Sequence, residues 1–156
     1  MDKALNYLAL AKKGRLIELG EEPVGAITRA VKGRLVELGE EPVGAVARAV
    51  KARLVIVAND ASDHTWRRAK SFVAGTEQQC IHVPFTKEEL GFVVGRQSLA
   101  IAAFTDAALA LAFVKALPNL EKFKDVADAL DTKAQKLRQR KDEAKAHQRN
   151  VRKGKK

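Results

Sequence analysis

Cysteine is nearly missing from this chain. Cys80 stands alone among 156 residues, so no internal disulfide framework can form, and the single thiol suits a reducing cytoplasm and a buried, apolar role. Long hydrophobic runs are missing too. No stretch of about 18 uncharged apolar residues occurs, and no membrane span is expected. The opening MDKALNYLALAKK carries its acid first and its lysines last, the reverse of a secretory signal, so none is expected. Metal and phosphate motifs are scarce as well. His64, His82 and His147 lie far apart and only Cys80 neighbours one of them, which is no zinc spacing. No glycine loop of the phosphate-cradling kind appears. Asp60, Ser62 and Asp63 beside His64 read as a helix cap, since Asp and Ser satisfy free N–H groups at a helix start. His82 reads as structural, and Trp66 beside Arg67 and Arg68 as packing. No cofactor, no metal and no enzymatic activity are expected.

Charge is abundant but uneven. Lys and Arg number 29 against 19 acids, a net of +10. Eleven of those bases and only two acids fall between Thr132 and Lys156. The rest of the chain is close to neutral. A cationic block of this kind attracts polyanions and speeds their capture, and nucleic acid is the commonest such partner.

The most unusual feature is a repeat. GRLIELGEEPVGAITRAVK (14–32) is followed at once by GRLVELGEEPVGAVARAVK (33–51), and sixteen of the nineteen positions are identical. The changes are Ile17 to Val36, Ile27 to Val46 and Thr28 to Ala47. Two copies are too few for a solenoid, which needs about three or more units with capping ends. The identity extends to positions that should face solvent, so this is a direct tandem duplication, recent or engineered. Each copy offers one strand and one helix, and two copies compete for one place. The second copy runs directly into the next apolar strand and is expected to occupy that place, with the first as an addition beside an N-terminal helix. Exchange between chains, giving a homo-oligomer through the duplicated segment, is the next possibility.

Periodicity sets out the remaining elements. Residues 1–13 have helical apolar spacing, stopped by Gly14. GRLVEL reads as a short strand. Glu40, Glu41 and Pro42 open a helix, because acids suit its positive end and proline its first turn. RLVIVAND (53–60), CIHVPF (80–85) and SLAIAAFTD (98–106) are apolar runs of the kind covered on both faces by helices. Ser62 or Asp63 caps a helix over about 65–74. Thr86 and Glu89 form a capping box for KEELGFVV, ended by Gly95. AALALAFVKAL (107–117) is a helix that stops before Pro118. Strands alternating with helices of this length predict an α/β fold, a three-layer α-β-α sandwich around a mixed four-stranded sheet. Three regions follow: the sandwich over 1–117, an amphipathic helix over 118–131, and a basic tail over 132–156. In the tail only Leu137 and Val151 are large and apolar, so disorder, or helix formed on a partner, is expected.

With one copy set aside, three pieces stand in a characteristic order: LGEEPVGAV before a helix, KARLVIVANDAS, and ELG…G…AIAAFTD. Together, over roughly residues 1–117, they resemble the ribosomal protein L-seven-Ae and L-thirty-e superfamily, including its bacterial YlxQ-type homologues. The resemblance implies an α-β-α sandwich that recognises structured RNA, typically kink-turns, in a translation setting, with ribosomal RNA as one candidate. It implies that Gly39, Glu40 and Glu41, at the start of the helix after the first strand, enter the RNA groove. It assigns a second contact to Gly95, Arg96, Gln97 and Ser98. A glycine there allows close backbone approach, and helix-start N–H groups point at phosphate. The family pattern has an Asn-Glu pair and a following lysine where this chain has Glu40-Glu41 and Ala45.

Lys12, Lys13, Arg34, Lys51, Arg53 and Arg96 are candidate bases flanking such a site. Arg138, Arg140 and Lys141 are the candidate phosphate contacts of the tail. Two functions remain open at this point. One is an RNA-binding module gripping phosphates with its tail. The other is a protein-interaction module of the same fold, whose acidic GEEP loop meets a partner while the tail tethers it to nucleic acid.

Overall fold

The computed structural model describes residues 21–118 and 120–154. Its elements run α1 (Glu21–Lys32), β1 (Val36–Leu38), α2 (Glu40–Arg48), β2 (Leu54–Val57), α3 (Asp63–Val73), β3 (Gln79–His82), α4 (Lys87–Val94), β4 (Ile101–Phe104), α5 (Ala107–Lys115), a 3-10 turn (Leu120–Phe123) and α6 (Lys124–Gly154). The strands form one mixed sheet in the order β1-β4-β2-β3. β2 and β3 are parallel, and β4 runs antiparallel to both β1 and β2. The ends of β1, β2 and β3 therefore share one edge of the sheet with the start of β4. That edge is called the upper pole below, and the opposite edge the lower pole.

The apolar runs form buried strands because both faces are covered. In β2, Leu54 and Ile56 belong to one core cluster and Val55 and Val57 to the other. Ala102 and Phe104 of β4 divide from Ile101 and Ala103 in the same way. This alternation is the period-two geometry of a strand. One helical layer holds α2 and α3; the other holds α1, α4, α5 and the first turns of α6. The α-β-α sandwich and its four-stranded mixed sheet are thus as the pattern predicts. The caps agree too. Ser62 Oγ accepts from Thr65 N, Thr86 and Glu89 form both bonds of a capping box, and Gly95 ends α4 in the left-handed region at φ 76°. Asp106 accepts from Leu109 N to open α5.

The second copy of the repeat does take the strand-and-helix place, as β1 and α2. The first copy differs from expectation. Its helix is no outside addition but α1 itself, packed on α5 and α4 across the sheet from α2. Nearly the same twelve residues therefore serve both layers, and they bury different sides. α1 buries Pro23, Ala26, Ile27 and Ala30; α2 buries Val43, Gly44 and Ala47, the counterparts of Val24, Gly25 and Thr28. At 100° per residue these stripes lie on nearly opposite sides of the helix. Two of the three differences between the copies follow this. Ile27 is 3% exposed where Val46 is half-buried, and Ala47 is 2% exposed where Thr28 faces solvent. The larger apolar group and the smaller apolar group each stand where the core needs them. Context also sets the helix ends. α2 stops at Arg48, with Val50 in the left-handed region at φ 55° and Lys51 N donating to Val46 O. α1 runs on to Lys32 and closes through Arg34 at φ 56°, with Leu35 N donating to Ala30 O. The helix expected over 1–13 and the first-copy strand lie outside the described residues.

The tail departs from the disorder, or partner-dependent helix, expected of it. α6 continues without a break from Lys124 to Gly154. Phe123, Ala127 and Leu130 are buried against the core, so the helix is nucleated by packing. From Lys124 to Lys153 the helix contains neither glycine nor proline, and adding turns to an existing helix costs little. Side-chain bonds Gln135–Asp131 and Gln139–Glu143 support it locally. From Arg138 to Arg149 every residue is exposed. Among the described residues no helix is long and apolar enough to cross a membrane.

Candidate nucleic-acid interface

Three connections meet at the upper pole. The first is the β1–α2 junction. Gly39 sits at φ 103°, ψ 163°, a region essentially restricted to glycine. Its N–H donates to Ile101 O at 3.0 Å, and its carbonyl accepts from Val43 N at 3.0 Å. With glycine at the cap there is no side-chain acceptor for the first turn of α2. Glu40 and Glu41 supply negative charge to that end instead.

The second connection is the α4–β4 loop. Gly91 lets it close. A Cβ there would stand 2.7 Å from Ser98 N and 2.8 Å from Arg96 O, distances no ordinary packing permits. The loop is then fastened by Arg96 N to Gly91 O at 2.7 Å and Leu99 N to Lys87 O at 2.9 Å. As a result the Arg96 guanidinium lies beside Gly39, with Nη1 3.9 Å from the position a Gly39 Cβ would take. Gln97 and Ser98 are exposed on the same loop.

The third is the β2–α3 loop. Ala58 N donates to Ala100 O and Asn59 N to Phe85 O, each at 2.9 Å, and Asp60 Oδ1 accepts from Lys87 N at 2.8 Å. Glu40 pairs with Arg68 of α3. Both groups are partly solvated, so the pair contributes at most about 1 kcal/mol. Its effect is positional: one carboxylate of the acidic pair is held by a cation, while Glu41 remains exposed.

The sequence candidates therefore separate. Gly39, Glu40 and Arg96 are brought together, with Glu41, Gln97 and Ser98 exposed around them. Arg34 precedes β1, where Thr105 N donates to Leu35 O, and Lys51 and Arg53 precede β2, where Arg53 N donates to Phe104 O. These three bases stand at the lower pole and do not flank Gly39. Arg138, Arg140 and Lys141 are exposed on α6. Lys12 and Lys13 lie outside the described residues. Arg68 and Asp60 escaped the sequence reading as members of the upper pole, because no local spacing joins them to Glu40 or Lys87; only the fold does.

The groups read as structural sit in packed positions. The His82 ring stacks on Trp66 with centroids 3.8 Å apart. Burial, then the nearby Lys122 and Lys70, lowers the His82 pKa below its ordinary value. Burial pushes the Cys80 thiol up to about 12, against a smaller opposing pull from Lys70. Among the described residues no group of three or more His, Cys, Asp or Glu gathers to hold a metal ion.

No family model matches the chain, and no curated protein matches it either. Solved structures do. A protein of unknown function from Bacillus halodurans C matches at TM-score 0.54 and 19% identity, over 70% of this chain and 97% of that one. A 15.5kD RNA binding protein from Giardia lamblia matches at TM-score 0.55 and 17% identity, over 70% of this chain and 90% of that one. At such identities, what this chain shares with both is the fold.

Proposed function

We propose that the chain binds structured RNA of the kink-turn kind at its upper pole, with α6 adding general phosphate contacts, in a ribosomal or other translation setting. The observation that carries this reading is the seating of Arg96 against Gly39. A glycine without a Cβ, an uncapped helix start and a guanidinium held by a tightly packed loop together make a surface that a phosphate backbone can approach closely. The likeness of the fold to that of an RNA binding protein supports it. So does the line of exposed bases on α6, since phosphate contacts supply most sequence-independent affinity. The pairing of Glu40 with Arg68 removes part of the repulsion that two carboxylates would present to phosphate. In this reading the protein performs no catalytic step.

The test compares a kink-turn RNA with a plain duplex of the same length, using the whole chain and two variants. Arg96→Gln should erase most of the preference for the kink-turn. Replacing Arg138, Arg140 and Lys141 by Gln should weaken both RNAs alike and flatten the salt dependence by roughly 2 to 3 in log–log slope, about 0.9 per lost phosphate contact. Equal binding of both RNAs by the unaltered chain would instead favour the protein-interaction reading.

A further inference from the structure

The lower pole carries a cleft that the upper-pole reading does not use. It has a volume of about 690 Å³ and lies between α6 and the starts of β2 and β3. That size falls within the range of ligand sites. Ala52 and Leu130 form part of its apolar lining. Gln78, also in the wall, is fully committed: its Oε1 accepts from Ala52 N at 2.9 Å, and its Nε2 donates to Ala47 O and Thr76 Oγ1, both at 3.1 Å. Arg53 is not. Its Nε is buried and meets no protein acceptor. Lys133 and Lys136 face the cleft from α6, and Glu77 and Asp128 also line it. No ion pair joins these bases to these acids among the described residues. A buried guanidinium N–H without an acceptor is costly, and phosphate oxygens match the guanidinium fork.

The bases do not stop at the cleft. Lys133, Lys136 and Arg140 follow one another at helical spacings of three and four, which is one stripe of α6. Lys51 adjoins the cleft through its neighbours Val50 and Ala52, both in the lining. A small anion would use only Arg53 and the two lysines. A chain of phosphates would use the whole row, entering at Arg53 and leaving along the exposed helix.

We propose that this cleft and the stripe beyond it bind the phosphodiester backbone of single-stranded RNA, as a second contact at the opposite end of the sheet from Gly39. The proposal rests on the reading of the chain as an RNA binder, but not on kink-turn recognition. Two sites on opposite edges of one sheet would let the protein hold two RNA segments at once.

The experiment titrates the full chain with a short oligouridylate, which has no sheared base pairs to engage the upper pole. The Nε–Hε resonance of Arg53 should shift and become protected from exchange. The variant Arg53→Gln/Lys133→Gln/Lys136→Gln should lower the log–log salt slope by about 2, at about 0.7 per phosphate contact for a single strand. Glu77→Gln/Asp128→Asn should tighten binding several-fold, and that variant decides the matter if the triple one does not fold. An unmoved Arg53 resonance, unchanged affinity on removing the two acids, or equal competition by oligoglutamate would overturn the proposal. So would saturation of the same shift by inorganic phosphate at the same concentration as the oligonucleotide. Loss of kink-turn preference in Arg96→Gln leaves every one of these outcomes intact, so the two readings fail separately.

Discussion

Exchanging the residues that differ between the two repeat helices should destabilise the protein without changing its composition. The exchange is Ile27→Val, Thr28→Ala, Val46→Ile and Ala47→Thr. Ala47 is 2% exposed and packs in the cluster with Val43, Val55, Val57 and Ala103. Threonine adds two heavy atoms there, and overfilling a packed core costs about 1–3 kcal/mol. Its hydroxyl can bond back to the carbonyl four residues earlier, as Thr28 Oγ1 does to Val24 O at 2.9 Å, so the polar penalty is small beside the steric one. Ile27→Val removes a methylene from a site 3% exposed, at about 0.5–1.5 kcal/mol. Thr28→Ala faces solvent and gains roughly 0.5 kcal/mol of helix propensity, and Val46→Ile at a half-buried position is near neutral. The sum is a loss of about 1–4 kcal/mol, or roughly 2–16 °C in Tm for a chain of this length. Urea unfolding followed by circular dichroism reads it directly. Stability equal to the unaltered protein within about 0.5 kcal/mol would mean that the two helices do not bury opposite sides.

Gly91→Ala should cost about 1–3 kcal/mol, because its methyl would meet the backbone of Ser98 and Arg96; the same variant should free Arg96 from Gly39, visible as altered Arg96 side-chain resonances. Gly39→Ala should cost a similar 1–3 kcal/mol through its backbone angles alone, checked by thermal unfolding, and an unchanged Tm would contradict the geometry of the β1–α2 junction. Burial raises the Cys80 pKa to about 12, so a thiol reagent at pH 8 should label the folded protein far more slowly than the unfolded one; labelling at the rate of a free cysteine would refute the burial. His82 has its pKa lowered in the fold, so the unfolded chain binds more protons at mildly acid pH, and stability should decline as pH falls below the ordinary value of 6.5; His82→Gln should flatten that decline in a series of melts.

Much of the sandwich was legible because its signals are local. RLVIVAND and SLAIAAFTD are apolar on both faces, and such runs have few other uses. Ser62, Thr86, Glu89 and Gly95 act within three or four residues of where they stand, so caps and stops could be read directly. The place of the first repeat copy could not. Residues 21–32 and 40–51 are nearly the same string, and local propensity assigns both to a helix but neither to a layer. Only the competition of tertiary contacts decides that one packs on α5 and the other on β4. The tail is hard to read for a related reason: its composition has no face to bury, yet helix growth needs only a nucleus, and Phe123, Ala127 and Leu130 provide it. At the candidate site, Gly39 and Arg96 could be named from the family pattern, but their meeting depends on Gly91. Only charge relates Arg34, Lys51 and Arg53 to them in the sequence. Strand direction sends those bases to the far edge, where Arg53 helps to line a cleft that no sequence spacing announces.

The joint between α1 and β1 has an ancestry-like bearing on chain length. Lys32, Gly33, Arg34 and Leu35 reproduce Lys13, Gly14, Arg15 and Leu16 letter for letter. Excising one nineteen-residue unit, or adding another, would leave this seam unaltered. The sheet would still be entered through the same four residues, whatever helix arrived from upstream. Slippage by one unit would thus keep the entry to β1 constant, while the helix arriving there would still have to fill the core that Ala26, Ile27 and Ala30 fill here.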